Sequence, residues 1–155
     1  MRTPPAVQIR QTAAASPEAR ALFAALDADI SARYPGAPVH GLQEHEYHSP
    51  SIHCFVGWLH NQPVASGVLR VLDATTGEVK RMYVAPALRG QGISRAMLHA
   101  LEDHARALQL RTVVLETGVK QPEAIGLYES AGYLPMERYG EFIECVDSVC
   151  YRKML

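Results

Sequence analysis

Apolar positions along this chain follow two rhythms, one near four residues and one of two, separated by short polar breaks. Leu22, Phe23, Leu26 and Ile30 recur at helical spacing. That run opens on Ser16-Pro17-Glu18, a capping hydroxyl, a proline suited to the first helical position and an acid. Pro35-Gly36 ends it. Ile93, Met97, Leu98, Leu101, Ala105 and Leu108 lay a second apolar stripe along a helix. Between the two, Ile52–Leu59 and Val64–Leu72 read as strands parted by His60-Asn61-Gln62-Pro63, a hairpin-type break. Thr76–Val84 follows the turn at Asp73–Gly77 as a third strand, and Thr112–Glu116 is apolar enough to be central. Val7–Gln11 alternates weakly and suits a first strand. Tyr133–Tyr139 and Val146–Met154 predict two late strands. From Gly36 to Pro50 the period lapses and His, Pro and Gly gather, which predicts a substrate-facing loop or short irregular helix. This order indicates an α/β protein, a mixed sheet covered on both faces.

Composition adds bounds more than detail. The 155 residues suit one domain, 1–155, with a proper core. Hydrophobic content of 48% and a net charge of −1 describe an ordinary soluble globule, without the basic surplus that nucleic acid requires. No apolar run approaches a membrane span, and Met1-Arg2-Thr3-Pro4-Pro5 lacks the apolar core of a signal peptide. Cys54, Cys145 and Cys150 are odd in number and show no metal-type pairing, so reduced thiols in a cytoplasmic protein are expected. His40, His45, His48 and His53 crowd one region. His45-Glu46-Tyr47-His48 has the wrong spacing for a zinc helix, and Gly41 and Pro50 oppose a long helix there, so no metal is expected.

The chemistry concentrates between Tyr83 and Arg95. A strand ends at Pro86, a loop rich in Gly and Arg follows, and the second helix begins. A helix opening on glycines offers unpaired N–H groups and the positive end of its dipole to an anion. Gly90 and Gly92 allow a phosphate close to the backbone. The P-loop pattern is absent, since no Lys-Ser or Lys-Thr follows. A dinucleotide fingerprint begins at Gly90 and Gly92 but meets Arg95 where its third glycine belongs.

Arg89-Gly90-Gln91-Gly92-Ile93-Ser94 instead resembles the acyl-CoA signature R/Q-x-x-G-x-G/A of the GNAT superfamily of N-acetyltransferases, with Ser94 departing at the last position. Glu78-Val79-Lys80-Arg81-Met82-Tyr83-Val84 resembles the strand before that loop. Glu123 to Tyr133 resembles the family's late helix, A-x-x-L-Y-x-x-x-G-[FY]. The three blocks, in order, cover roughly the last half of the chain.

The resemblance implies the GNAT fold and acetyl-CoA as cosubstrate. It also implies acetyl transfer to a primary amine of a small molecule, by direct attack in a ternary complex. An alkylammonium has a pKa of ~10, so something must take its proton. Glu78 matches the family's catalytic Glu where one is used; paired with Lys80 or Arg81 it is only a strand residue. Tyr128 falls at the usual general acid, with core packing as its plainer role. The backbone of Met82, Tyr83 and Val84 is expected to pair with pantetheine. Arg89, Gly90, Gln91, Gly92, Ile93, Ser94 and Arg95 are expected to hold the phosphates, and Gln121 stands near a pantetheine-binding Asn of relatives. Tyr47, His48 and Phe142 are candidate walls of the acceptor pocket. No cysteine lies in a Cys/His pattern that the sequence specifies, which makes a covalent acetyl-enzyme the weaker route. An acyl-CoA-binding sensor without turnover and a protein or peptide N-acetyltransferase are the alternatives. Retention of both Glu78 and Tyr128 favours the enzyme. A homodimer is compatible with the resemblance.

Overall fold

Three α-helices and seven strands lie among residues 6–155, which the computed structural model describes. Residues 1–5, on which the signal-peptide expectation falls, lie outside the described residues. The strands are β1 (Gln8–Gln11), β2 (Ile52–Leu59), β3 (Gln62–Val71), β4 (Thr76–Val84), β5 (Thr112–Gly118), β6 (Leu134–Met136) and β7 (Ser148–Met154). The helices are α1 (Pro17–Arg33), α2 (Ile93–Ala107) and α3 (Pro122–Ser130). The strands form one mixed sheet in the order β1-β2-β3-β4-β5-β7-β6. Every pairing is antiparallel except β4 with β5, which α2 joins as a crossover.

Side chains alternate across the sheet, so neighbours in sequence serve opposite layers. Val68 faces α1, whose Ala19, Leu22 and Phe23 pack with Cys54 and Val56. Leu69 faces α2, whose Ile93, Met97, Leu98, Leu101 and Ala105 pack with Val79, Val113 and Leu115. Both helices begin as the sequence predicts. Ser16 Oγ accepts from the Ala19 N–H at 3.2 Å to cap α1. Gly67 lets α2 lie close to the sheet, because a Cβ there would meet Leu101 and Met97 at 2.9 Å. Glu102 of α2 is buried yet paired, accepting from Tyr133 Oη at 2.8 Å and Lys153 Nζ at 3.0 Å.

Some boundaries differ from the expectation, each for a local reason. The β2–β3 turn tightens to His60 and Asn61, both at positive φ (49° and 61°), so β3 starts at Gln62. Only Leu134–Met136 of the Tyr133–Tyr139 run is strand, since Tyr139 turns away to reach Glu78. The final strand starts at Ser148, not Val146, which is 80% exposed. β5 runs two residues past Glu116, to Gly118. The Gly36–Pro50 segment holds one short turn of 3₁₀ helix, Glu44–His48. No described helix is long and apolar enough to cross a membrane.

Two irregularities open the middle of the sheet. β4 and β5 pair only from Thr76–Val79 to Thr112–Leu115, and beyond that point the ladder ends. On its other edge β4 carries one extra residue against β3, between the pairs Val68↔Lys80 and Ser66↔Tyr83. Arg81 occupies this bulge at φ 56°.

Leu101 is fully buried where α2 meets the sheet, so Leu101→Ala is expected to cost about 2–5 kcal/mol of stability. Urea unfolding measures this. A loss well under that range would mean that the helix–sheet interface collapses around the vacancy.

Candidate active site

A cavity of about 530 Å³ fills the gap where β4 and β5 part. One end lies against the turn before α2, and the other reaches Glu78, Glu116, Phe142, His40 and Cys145. Met82, Tyr83 and Val84 form the wall between the two ends, opposite Leu127 and Tyr128 of α3.

The first end has the geometry to take an anion. Gly90 and Gly92 sit at φ 77° and 84°, a region costly for other residues. Gly92 is the N-cap of α2 and offers no side-chain cap, so the helix's first N–H groups stay available to a ligand. A Cβ on either glycine would find nothing within 4 Å, which leaves the room a phosphate needs. Arg89 is braced at the mouth, its Nε donating to the Val84 carbonyl at 2.9 Å and its Nη2 to Asp29 at 2.6 Å. Arg89, Gly90, Ile93 and Ser94 line the cavity. Gln91, Gly92 and Arg95 lie on the same turn outside its wall. Arg95 instead donates to Ser130 Oγ at 2.6 Å, tying α2 to α3. Gln121 also lines the cavity, but its Oε1 accepts from the Gly118 N–H at 3.1 Å and so closes its own turn.

The other end is a cluster of charge on the α1 face of the sheet. Register places Arg70 beside Glu78 on one flank and Val114 on the other, so Glu116, two residues beyond Val114, shares their face. Glu78 is 1% exposed and heavily engaged. Arg70 donates to its Oε1 through Nε at 3.0 Å and Nη2 at 2.7 Å, while Tyr139 Oη donates to Oε2 at 2.5 Å. Lys80 Nζ stands 3.9 Å away, but Arg81 pairs elsewhere, with Asp27 at 2.6 Å. The main partner of Glu78 is therefore Arg70, across the strand, and not the near neighbours in sequence.

Glu116 was not singled out from the sequence. Its carboxyl is half-buried and is pushed up to about 7, chiefly by burial, with Lys80 opposing and Glu78 and Glu141 adding to the rise. A carboxyl in that range can both take and return a proton near neutrality. A signal was available: Glu116 is the one charged residue in the otherwise uncharged strand Thr112–Gly118. Tyr128, 5% exposed, meets Tyr133 edge to face with ring centroids 5.8 Å apart. Burial and then the charge of Glu116 raise its phenol, which keeps the hydroxyl protonated and able to donate. Tyr128 is thus packed in the core and also lines the cavity.

Phe142 lines the charged end of the cavity, edge-on to His40 with ring centroids 4.9 Å apart. Tyr47 and His48 do not. Tyr47 packs near Phe23 and under the Arg20 guanidinium at 4.0 Å, and with His48 it borders a separate hollow next to β1. The 3₁₀ turn points that part of the Gly36–Pro50 segment at α1 and leaves only its first half on the cavity.

The Acetyltransferase (GNAT) family pattern matches residues 19–133. The chain belongs to the GNAT acetyltransferase family. Its fold superposes on a Klebsiella pneumoniae protein described as an acyl-CoA N-acyltransferase, with TM-score 0.82, 29% identity and coverage of 97% of this chain and 98% of that one. An IAA acetyltransferase from Azospirillum brasilense is 34% identical over 122 residues, 78% of this chain and 80% of its own length. A GNAT family acetyltransferase from Elizabethkingia anophelis, solved with acetyl-CoA bound, shares the fold at TM-score 0.71 and 20% identity, covering 96% of this chain and 98% of that one. This GNAT protein is accordingly an acyltransferase.

Glu116 gives the site a signature in stability. Its folded pKa of about 7 lies above the ordinary 4.5, so folding favours the protonated form. That contribution is complete below pH 4.5 and lost as the pH rises through about 7. Glu116→Gln cannot ionise, so its urea midpoint should gain on wild type between those limits. A constant difference at every pH would mean that the carboxyl titrates like an exposed one.

Proposed function

We propose that this GNAT enzyme transfers an acetyl group from acetyl-CoA to a primary amine of a small molecule, by direct attack in a ternary complex. The supporting observation is the single cavity that joins an anion cradle to two carboxylates and a phenol. The acetyl-CoA-bound relative of the same fold supports the choice of donor.

When bound, acetyl-CoA supplies the activated acetyl thioester; the chain's own groups do the rest. The turn from Arg89 to Arg95, with the N-terminus of α2 behind it, receives the phosphates. From Lys80 to Val84 the edge of β4 has no β5 partner, so the main chain of Met82, Tyr83 and Val84 can take the pantetheine amides as an added strand. Gln121 borders the same passage. At the far end Glu78, fixed by Arg70 and Tyr139, orients the acceptor ammonium, and Glu116 completes the proton-accepting pair. Of the two, Glu116 is the immediate acceptor, because its carboxyl is pushed up to about 7 while both Glu78 oxygens already accept from Arg70 and Tyr139. Tyr128 returns a proton to the departing thiolate. A module that only binds acyl-CoA needs none of these three. The unpaired Cys54, Cys145 and Cys150 fit a cytoplasmic setting.

Gly92→Asp places a negative charge and a strained φ in the cradle, so calorimetry on the folded variant should show acetyl-CoA affinity falling at least about tenfold. Unchanged affinity would move the phosphate site elsewhere.

Tyr128→Phe removes only the hydroxyl. Turnover, followed as CoA release with an amine identified by screening amino acids, polyamines, aminoglycosides and peptides, should fall about 10²–10⁴-fold with acetyl-CoA affinity preserved. Full turnover, with chemistry limiting, would leave Tyr128 a packing residue.

A further inference from the structure

The mechanism above leaves one reactive cluster unused. Cys145 Sγ lies 3.4 Å from His40 Nε2, and His40 Nδ1 lies 3.1 Å from Glu141 Oε1. The three residues come from two distant stretches of chain, the Gly36–Pro50 segment and the loop between β6 and β7. A carboxylate only accepts hydrogen bonds, so Glu141 holds the imidazole proton on Nδ1 and leaves Nε2 as an acceptor facing the thiol. The ring is clamped further by the edge-on contact with Phe142, at 4.9 Å. Thiol, base and orienting acid are therefore in the relation that activates a nucleophile.

Position gives the cluster something to act on. Cys145 and His40 line the same cavity as Glu116 and Tyr128, while Glu141 stands behind His40. The other two cysteines differ in every respect. Cys54 and Cys150 are each 2% exposed and have no imidazole within hydrogen-bonding reach among the described residues, and burial raises both thiols.

We propose that Cys145, His40 and Glu141 form a nucleophilic triad that accepts the acetyl group of acetyl-CoA as a thioester on Cys145 when no amine occupies the cavity. The inference rests on acetyl-CoA binding there as proposed above, and it adds a reaction that direct attack on an amine does not need. His40 Nε2 takes the Cys145 proton as Sγ bonds to the acetyl carbonyl carbon. The bond from that carbon to the CoA sulfur breaks, and the proton passes from His40 to the departing thiolate. One thioester replaces another, so the step runs in both directions and free CoA reverses it. The acetyl group then sits beside Phe142 at the acceptor end, where it competes with the amine for space. Self-acetylation thus makes the acceptor site responsive to the ratio of acetyl-CoA to CoA.

The test is the mass of the intact protein, quenched in acid after incubation with acetyl-CoA and no amine. Wild type should gain one acetyl group, mapped to the peptide carrying Cys145 and removed by added CoA. Cys145→Ala and Cys145→Ser should gain none. His40→Ala should acquire the group at least about 10²-fold more slowly, the loss expected of a positioned base. Glu141→Gln should slow it by a smaller factor. An acetyl group on Cys54, Cys150 or a lysine overturns the proposal, as does an undiminished rate in His40→Ala. If calorimetry shows acetyl-CoA bound and the wild-type mass stays unchanged, the triad fails while the acetyltransferase reading stands. If acetyl-CoA does not bind, both fall together.

Discussion

Most of this protein's chemistry depends on where the β4–β5 ladder stops. Two parallel strands in the middle of a sheet normally satisfy each other along their length, because unpaired backbone groups inside a protein are costly. Here the pairing ends at Val79 and Leu115, and five residues of β4 continue without a partner on that side. The bulge at Arg81 on the opposite edge increases the local twist and carries the strand away from β5. An unpaired strand edge in a sheet interior needs either a ligand or water. A cosubstrate bearing amide groups suits such an edge by the same hydrogen bonds that build sheets.

The surroundings of that gap are stiff, which lets it stay open. On one face the α2 stripe is anchored by apolar burial, and Glu102 bonds both Tyr133 and Lys153 across the layer. On the other face α1 covers Val56 and Val68 but stops short of the charged cluster. The cluster is held by its own pairings: Arg70 bridges Glu46 and Glu78, at 2.8 and 2.7 Å. Removing a single member would leave a buried charge uncompensated, a larger penalty than the pair's net contribution. Burial chiefly raises the neighbouring Glu116 carboxyl; Lys80 opposes the rise, and the negative charges of Glu78 and Glu141 add to it.

A division of labour between the two sheet faces follows. The α2 face carries the larger apolar cluster, and the α1 face carries a smaller one together with the buried charges, with β3 and β4 supplying both faces by alternation. Leu69 and Val79 point one way; Arg70, Glu78 and Lys80 point the other. The loop between β6 and β7 then closes the polar side, bringing Tyr139 to Glu78, and Phe142 and Cys145 to the cavity, from outside the sheet.

Short-range information was enough for most of the elements and for the glycine turn before α2. Helical spacing, the Ser16 cap and the two glycines before α2 act through contacts within a few residues, and those contacts are written in the sequence. Glu78 and Tyr128 were legible through motif order, and both line the cavity. The partners of Glu78 at the charged end of the cavity were not legible. Arg70 meets Glu78 through strand register, Glu116 faces them because of a parallel pairing with β4, and His40 meets Cys145 across 105 positions of chain. Tyr47, promising by composition alone, turned to α1, where it packs against Phe23 and Arg20, and His48 borders the separate hollow beside it. Periodicity reports which way a side chain faces within its own element. Which element it faces is decided only when the sheet closes and the connecting loops take their places, and the proton chemistry of this site depends on that decision.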